Sequence, residues 1–193
     1  MDEAWDSLPR RHFAVIEADP PWSFTTYSKK GWGKTPHAHY DCMSLADIKA
    51  MPVPDLAAPN AVLLLWATMP MIPEALEVMA AWGFKHKTAL PWVKQSKTGR
   101  ALNFGTGYIF RNCAELLLVG KRGKPPREKS RSERGVIIAP VREHSRKPDE
   151  TKRKIEALWD GPYLELFARQ SRPGWHGWGN QATRFDAPEM TAA

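Results

Sequence analysis

Phe13-Ala-Val-Ile-Glu-Ala-Asp19-Pro20-Pro21-Trp22 is a short apolar run that ends in a carboxylate, two prolines and an indole. Residues 13–18 are apolar enough for a buried strand, with Glu17 as the one interruption, and Asp19 falls where that strand stops. Proline fixes its own φ and holds the residue before it extended, so Asp19 and Pro20 are set rigidly before any ligand arrives. Neither proline has an N–H to occupy the Asp19 carboxylate or a nearby carbonyl. The string therefore predicts a fixed cluster of acceptors beside an aromatic ring. It suits a planar ligand with an amino group on its edge: Asp19 and the Pro20 carbonyl each accept one amine proton while Trp22 stacks on the ring. Adenine and cytosine are such ligands. Their exocyclic nitrogen is a poor nucleophile because its lone pair is delocalised, and two preset acceptors favour the geometry that frees it. Asp-Pro alone is a common turn starter; the whole string, directly after a strand, is what points to chemistry.

Outward from that stretch, residues 23–43 are rich in Gly, Lys, Ser and His, with Tyr27, Trp32 and Tyr40 among them. They read as a flap beside Asp19 that carries Lys29 and Lys30. Ser44-Leu-Ala-Asp47 has capping-box spacing and opens a short helix to about residue 51. Strands are predicted over 61–67, 85–93, 115–120, 136–139 and 163–168, with Pro91 marking an edge or an irregularity. Helices are predicted over 73–82, closed by Gly83, and from Pro148 to residue 159. Strands alternating with helices predict an α/β architecture with an open, largely parallel sheet and ligands at the carboxyl ends of the strands. Asp19 follows the first strand and Arg169 the last. No Gly-x-Gly-x-x-Gly follows a strand, which leaves a nicotinamide-type site unsupported.

A chain of 193 residues fits one domain, predicted over 1–187 with a disordered tail at 188–193. Nine Trp and seventeen Pro predict aromatic surfaces and rigid loops beyond the needs of a core. A net charge of +7 predicts an anionic partner. Its densest part is 121–134, where seven Lys or Arg face two Glu among Pro and Gly; this reads as a mobile cationic loop whose Arg127, Lys129 and Arg131 follow a phosphate backbone. Cys42 and Cys113 sit far apart and in no metal spacing, which fits a reducing cytoplasm. His37 and His39 lack the further ligands of a site, so no metal is expected. The longest apolar run, 61–67, is too short to span a bilayer, and a soluble cytoplasmic protein with no membrane partner is expected.

Taken in order, Asp19-Pro-Pro-Trp22, Tyr40-Asp-Cys-Met43-Ser44, Leu64-Leu65-Trp66, Trp92-Val93-Lys94, Lys147-Pro-Asp149-Glu150, Glu165-Leu-Phe-Ala-Arg169 and Gly179-Asn180-Gln181 resemble the DPPW-type adenine-N6 methyltransferases. That family includes the catalytic subunit of the eukaryotic messenger-RNA adenine methyltransferase, and bacterial and phage members that act on DNA. The resemblance runs from about residue 13 to residue 181. It implies a Rossmann-like fold in permuted order, with the catalytic motif ahead of the cofactor-binding strand, and S-adenosylmethionine as methyl donor. Carried over, Asp19, Pro20, Pro21 and Trp22 hold the target adenine, with Asp19 also near the donor's amino-acid end. Lys147 pairs with the donor carboxylate; Arg169, Asn180, Gln181 and Glu165 hold its ribose and adenine; Tyr40 and Trp66 lie on the target-base side. Arg146 stands where family members often carry His. A short chain like the bacterial and phage members favours DNA over RNA, as monomer or homodimer.

The same residues have plainer readings. Trp22, Trp66 and Trp92 are also what a core would use. Lys147 could be solvated, although a cation at a helix start opposes the helix dipole and wants another reason. Glu165 alternates with leucines as a strand-face residue does, and Asn180 and Gln181 are turn formers. The same chemistry on RNA, or a non-catalytic nucleic-acid-binding relative, stands as the alternative function.

Overall fold

The computed structural model describes residues 3–23, 42–105, 107 and 109–186. Seven strands form one sheet: β1 (Phe13–Ala18), β2 (Ala57–Ala67), β3 (Lys85–Gln95), β4 (Ala114–Arg122), β5 (Ile137–Pro140), β6 (Tyr163–Leu166) and β7 (Trp175–Trp178). Their order across the sheet is β5-β3-β4-β2-β1-β6-β7. β1 pairs in parallel with β2 on one side and β6 on the other, β6 with β7, and β3 with β5. The exception is β4, antiparallel to both β2 and β3. The expected α/β class holds, and β1, the strand that ends in the first motif, lies beside β6 and β7, the last strands in the chain.

Alternation along the strands divides the core in two. Phe13, Ile16, Ala18, Leu63, Leu65 and Leu164 face one way, onto α1 (Glu3–Asp6), α2 (Leu45–Ala50), α3 (Val53–Leu56) and α4 (Ile72–Ala81). Val15, Leu64, Trp66, Leu117 and Ile137 face the other way, onto α5 (Asp149–Leu158) through its Ile155. The predicted start of α2 is realised: the Ser44 hydroxyl accepts the Asp47 N–H at 3.1 Å. α4 ends before Gly83, whose φ of 79° only glycine adopts freely. Gly120 of β4 is required for a different reason. A Cβ there would lie 2.6 Å from Sδ of the buried Met79, so bare backbone is what lets α4 sit down on the sheet.

Pro91 marks a local edge within an inner strand: β3 lies between β4 and β5, but pairing with β5 begins only at Trp92, so the missing N–H costs nothing there. Several expectations are corrected. β7 is not among the predicted strands, because its Trp-His-Gly-Trp has no apolar alternation. The tryptophans build core more than surface. Trp5, Trp22, Trp66, Trp82, Trp92 and Trp159 are all buried, and Trp82 and Trp92 donate their N–H to the Ile48 and Ala139 carbonyls. The cationic loop is shorter and less free than predicted, since Lys121 and Arg122 belong to β4. Its remainder is tied down by Lys121 to Glu128 at 2.7 Å, Lys129 to Asp160 at 2.6 Å and Lys154 to Glu133 at 2.9 Å. The expected flap, with Lys29, Lys30 and Tyr40, and the expected disordered tail lie outside the described residues.

Candidate active site

From β1 the chain crosses to β2 on one side, and on the other side of β1 lies β6. Such a reversal leaves a crevice outside the carboxyl ends of the two strands. Asp19 leaves β1 and Phe167 leaves β6 at this point, and the Asp19 N–H reaches the Leu166 carbonyl at 3.4 Å. A cavity of about 380 Å³ opens there, lined by Asp19, Lys147, Glu165, Arg169 and Phe185 among others. Two of the three described non-glycine residues with positive φ, Ser145 at 61° and Phe167 at 62°, also line it. Left-handed backbone at such residues costs on the order of 1–3 kcal/mol and collects at functional sites.

Asp19 is held by charge. Lys147 Nζ lies 2.9 Å from its carboxylate and 3.1 Å from that of Glu115, and Glu115 in turn pairs closely with Lys94. The four groups form one alternating row from β1 through the segment before α5 to β4 and β3. Burial acts most strongly on Asp19 and raises its pKa, with Lys147 pulling the other way and Glu115 pushing the same way as burial. Burial also works against the charge on Glu115, but Lys147 and Lys94 together overturn it and bring that carboxyl down to about 2. For Lys147, burial favours the neutral amine; the two carboxylates outweigh it and raise the ammonium above the ordinary lysine range. The charge on Lys147 is therefore already engaged by Asp19 and Glu115, which is the further reason its position ahead of a helix called for.

A second cluster forms the floor. Glu17 and Glu165, opposite each other in the β1–β6 register, share Lys152 of α5 at 2.7 and 2.6 Å. At the rim, three guanidinium groups approach the Phe185 ring, Arg146 and Arg169 at 4.9 Å from its centroid and Arg184 at 5.7 Å. The Phe185 N–H donates to the Arg169 carbonyl at 2.9 Å. Arg146 also donates to Gln170 at 2.7 Å, and Arg169 to the His144 carbonyl at 2.9 Å.

Of the residues singled out in the sequence, Asp19, Lys147, Glu165 and Arg169 come together at this cavity. Asn180 and Gln181 fall in the turn after β7 at the same edge of the sheet, where Gln181 accepts from Arg184 at 2.9 Å. Trp22 and Trp66 depart from expectation. Trp22 is 4 % exposed and donates its indole N–H to the Trp66 carbonyl at 3.0 Å, and Trp66 is 1 % exposed and donates to Glu17 at 2.8 Å. Both indoles are spent on core packing, so neither presents an open face for a base; Trp22 anchors the turn to β2 instead. The Pro20 carbonyl is likewise part-used, accepting the Trp22 N–H at 2.8 Å, which leaves it one lone pair. Arg127, Lys129 and Arg131 are exposed but distant. The basic loop starts beyond Arg122, seven residues along β4 from Glu115, or about 24 Å at roughly 3.4 Å per residue.

Glu115, Lys94, Glu17, Lys152, Arg146 and Phe185 were not singled out as site residues. Glu17 did give a signal, a charge inside an otherwise apolar strand. Glu115 and Lys94 gave only that of charges at strand ends, and the packing of Phe185 against Arg169 depends on a return of the chain that no local pattern announces.

The MT-A70 family model matches residues 13–181. The chain is 28% identical to the Type II methyltransferase M.MunI of Mycoplasma sp, over 93% of this chain and 82% of that protein. It is 30% identical to the human N(6)-adenine-specific methyltransferase METTL4 over 91% of this chain and 39% of that protein. It is 31% identical to the human N(6)-adenosine-methyltransferase catalytic subunit METTL3 over 88% of this chain and 28% of that protein. It thus spans most of the first relative and well under half of the other two. The ordered motifs, the crevice at Asp19 and these matches agree: this chain belongs to the MT-A70 family of adenine-N6 methyltransferases.

Proposed function

We propose that this chain transfers a methyl group from S-adenosylmethionine to the N6 amine of adenine in nucleic acid, with DNA the favoured substrate. The observation that carries the reading is the Asp19 carboxylate at the carboxyl end of β1, rigid before Pro20 and paired with Lys147 inside the crevice. The residues present fit the donor. Asp19 and Lys147 stand side by side with charges opposite to those of its ammonium and carboxylate, Glu165 on the floor is an acceptor for hydroxyls, and Phe185 is an aromatic face. When bound, the donor would supply an electrophilic methyl group on its sulfonium, to be taken by the amine nitrogen with the neutral thioether as leaving group. Asp19 and the free lone pair of the Pro20 carbonyl accept the two amine protons, drawing the nitrogen lone pair out of the ring. Lys147 keeps Asp19 ionised beforehand, while burial raises its affinity for the proton the nitrogen then gives up. The match along most of M.MunI supports DNA over RNA.

Mass spectrometry of nucleosides from DNA and from RNA, each incubated with enzyme and donor, tests the reading. N6-methyladenine in DNA, and its loss by a factor of about 10²–10³ in Asp19→Asn, is the expected result. Methylation of RNA alone overturns the substrate preference. A chain that binds nucleic acid but gives no calorimetric signal with the donor is the non-catalytic relative.

A further inference from the structure

Two carboxylates and one ammonium lie under the cavity, and two of the three have no part in the reading above. Glu17 is 2 % exposed, and its oxygens are divided between the Trp66 N–H at 2.8 Å and Lys152 at 2.7 Å. Lys152 reaches Glu165 at 2.6 Å and lies 3.9 Å from the Trp175 ring centroid, so it is boxed between two acids and an indole that Glu156 holds at 2.8 Å. One positive charge therefore serves two negative ones in a place with little water. We propose that Glu17, acting through Lys152, is a positioning residue for Glu165, and that affinity for the donor's ribose follows the charge of this three-residue cluster. The inference rests on the crevice being the donor site.

The physical argument is one of sharing. Lys152 can neutralise either carboxylate but not both, so the cluster carries one surplus negative charge unless a proton joins it. Glu17 accepts the Trp66 N–H in addition to pairing with Lys152, a second donor that Glu165 does not share, so the proton settles on Glu165. Burial raises Glu165 to about 7, with Lys152 opposing and Glu17 reinforcing. The charged groups acting on it are Glu17 of β1, Asp19 just past β1, Lys152 of α5 and Arg172 from the segment after β6. β7 places Gly177, which has no side chain, opposite it in register. The ionised carboxylate offers one acceptor oxygen to each hydroxyl of a ribose diol, whereas protonation turns one of those oxygens into a donor and weakens the pairing. Donor affinity must then rise with pH through neutrality, and Glu17 is the residue that sets where.

Two titrations test this on the whole chain. In the ligand-free protein, the carboxyl-carbon resonance of Glu165 should titrate near neutrality, and in Glu17→Gln its midpoint should fall by about one pH unit or more. Calorimetry with 5′-methylthioadenosine, which keeps the ribose diol and has no charged end, should give affinity that rises from pH 6 to 8 in the native chain and stays flat in Glu17→Gln. Glu17→Met, apolar and of similar size, guards against a folding artefact and should behave as Glu17→Gln does. Donor binding with the same midpoint in all three proteins overturns the gating alone, leaving Glu17 as a partner for Trp66. A midpoint that shifts while neither methylthioadenosine nor S-adenosylmethionine binds at any pH overturns the gating and the donor site together.

Discussion

Asp19 and Trp22 stand three residues apart in one motif, and the fold uses them in opposite ways. Asp19 is turned into the crevice and paired with Lys147; Trp22 is turned into the core, where its N–H covers the Trp66 carbonyl at 3.0 Å. Trp22→Ala should therefore unfold the protein at lower temperature, by about 3–5 kcal/mol of lost packing. Trp22→Phe should cost about 1–3 kcal/mol for the buried carbonyl left bare. Denaturant melts decide this, and full stability in Trp22→Ala would return the indole to the base-stacking role. The sequence made Asp19 legible because a proline constrains its neighbour locally. It could not tell stacking indole from core indole, since that depends on Trp66, forty-four residues away. Glu115 was illegible for the same reason, and it has its own signature. Its folded value of about 2 lies below the ordinary 4.5, so its contribution is fully present above pH 4.5 and lost as pH falls through about 2. The stability gap between the native chain and Glu115→Gln should accordingly narrow across that window. A gap that stays constant with pH would mean that Glu115 is not held ionised by Lys147 and Lys94.

Among the elements, the strands and helices with a pure apolar period were readable to within a few residues, as β1, α2 and α4 are. Direction was not: nothing in Glu-Leu-Leu-Leu-Val-Gly distinguishes a parallel strand from an antiparallel one, and the run became β4, antiparallel between β2 and β3. β4 matters to the site because its reversed direction brings its first residues, with Glu115, to the carboxyl ends of the parallel strands, where Lys147 waits. Its seat depends on Gly120 meeting Met79 of α4. Gly120→Ala should then destabilise by about 1–3 kcal/mol through overpacking. Pairing it with Met79→Val, which removes the Sδ that a Cβ would meet at 2.6 Å, should recover part of the loss. If the double variant shows simple additive damage by chemical denaturation, the close approach is not what fixes α4 on the sheet.

For the molecule as a whole, the excess of positive charge was plain in the composition, but its placement was not. Residues 121–134 looked like an arm because charge and proline were counted without knowing which end of the sheet they leave from. In the fold, the basic run starts at the amino-end edge, about 24 Å from Glu115 at roughly 3.4 Å per residue. Lys129 is already held by Asp160 at 2.6 Å. Cations nearer the chemistry, Arg142, Arg146 and Arg153, line the crevice itself. An exposed ion pair is worth little and yields to a phosphate only at the expense of its own partner, so Arg127 and Arg131 are the loop's main candidates for displacing counterions. Each phosphate contact to a single strand contributes about 0.7 to the log–log salt slope, so neutralising these two should flatten it by about 1.4 units, and adding Lys129→Gln should change it little further. The loss should appear in KM with kcat unchanged, because a contact so far from Asp19 holds the substrate equally before and during transfer. Affinity for a labelled oligonucleotide, measured from low to moderate salt for the double and triple variants, checks the assignment. A slope unmoved in both would leave the loop as a solvated surface and put the phosphate contacts on the crevice arginines.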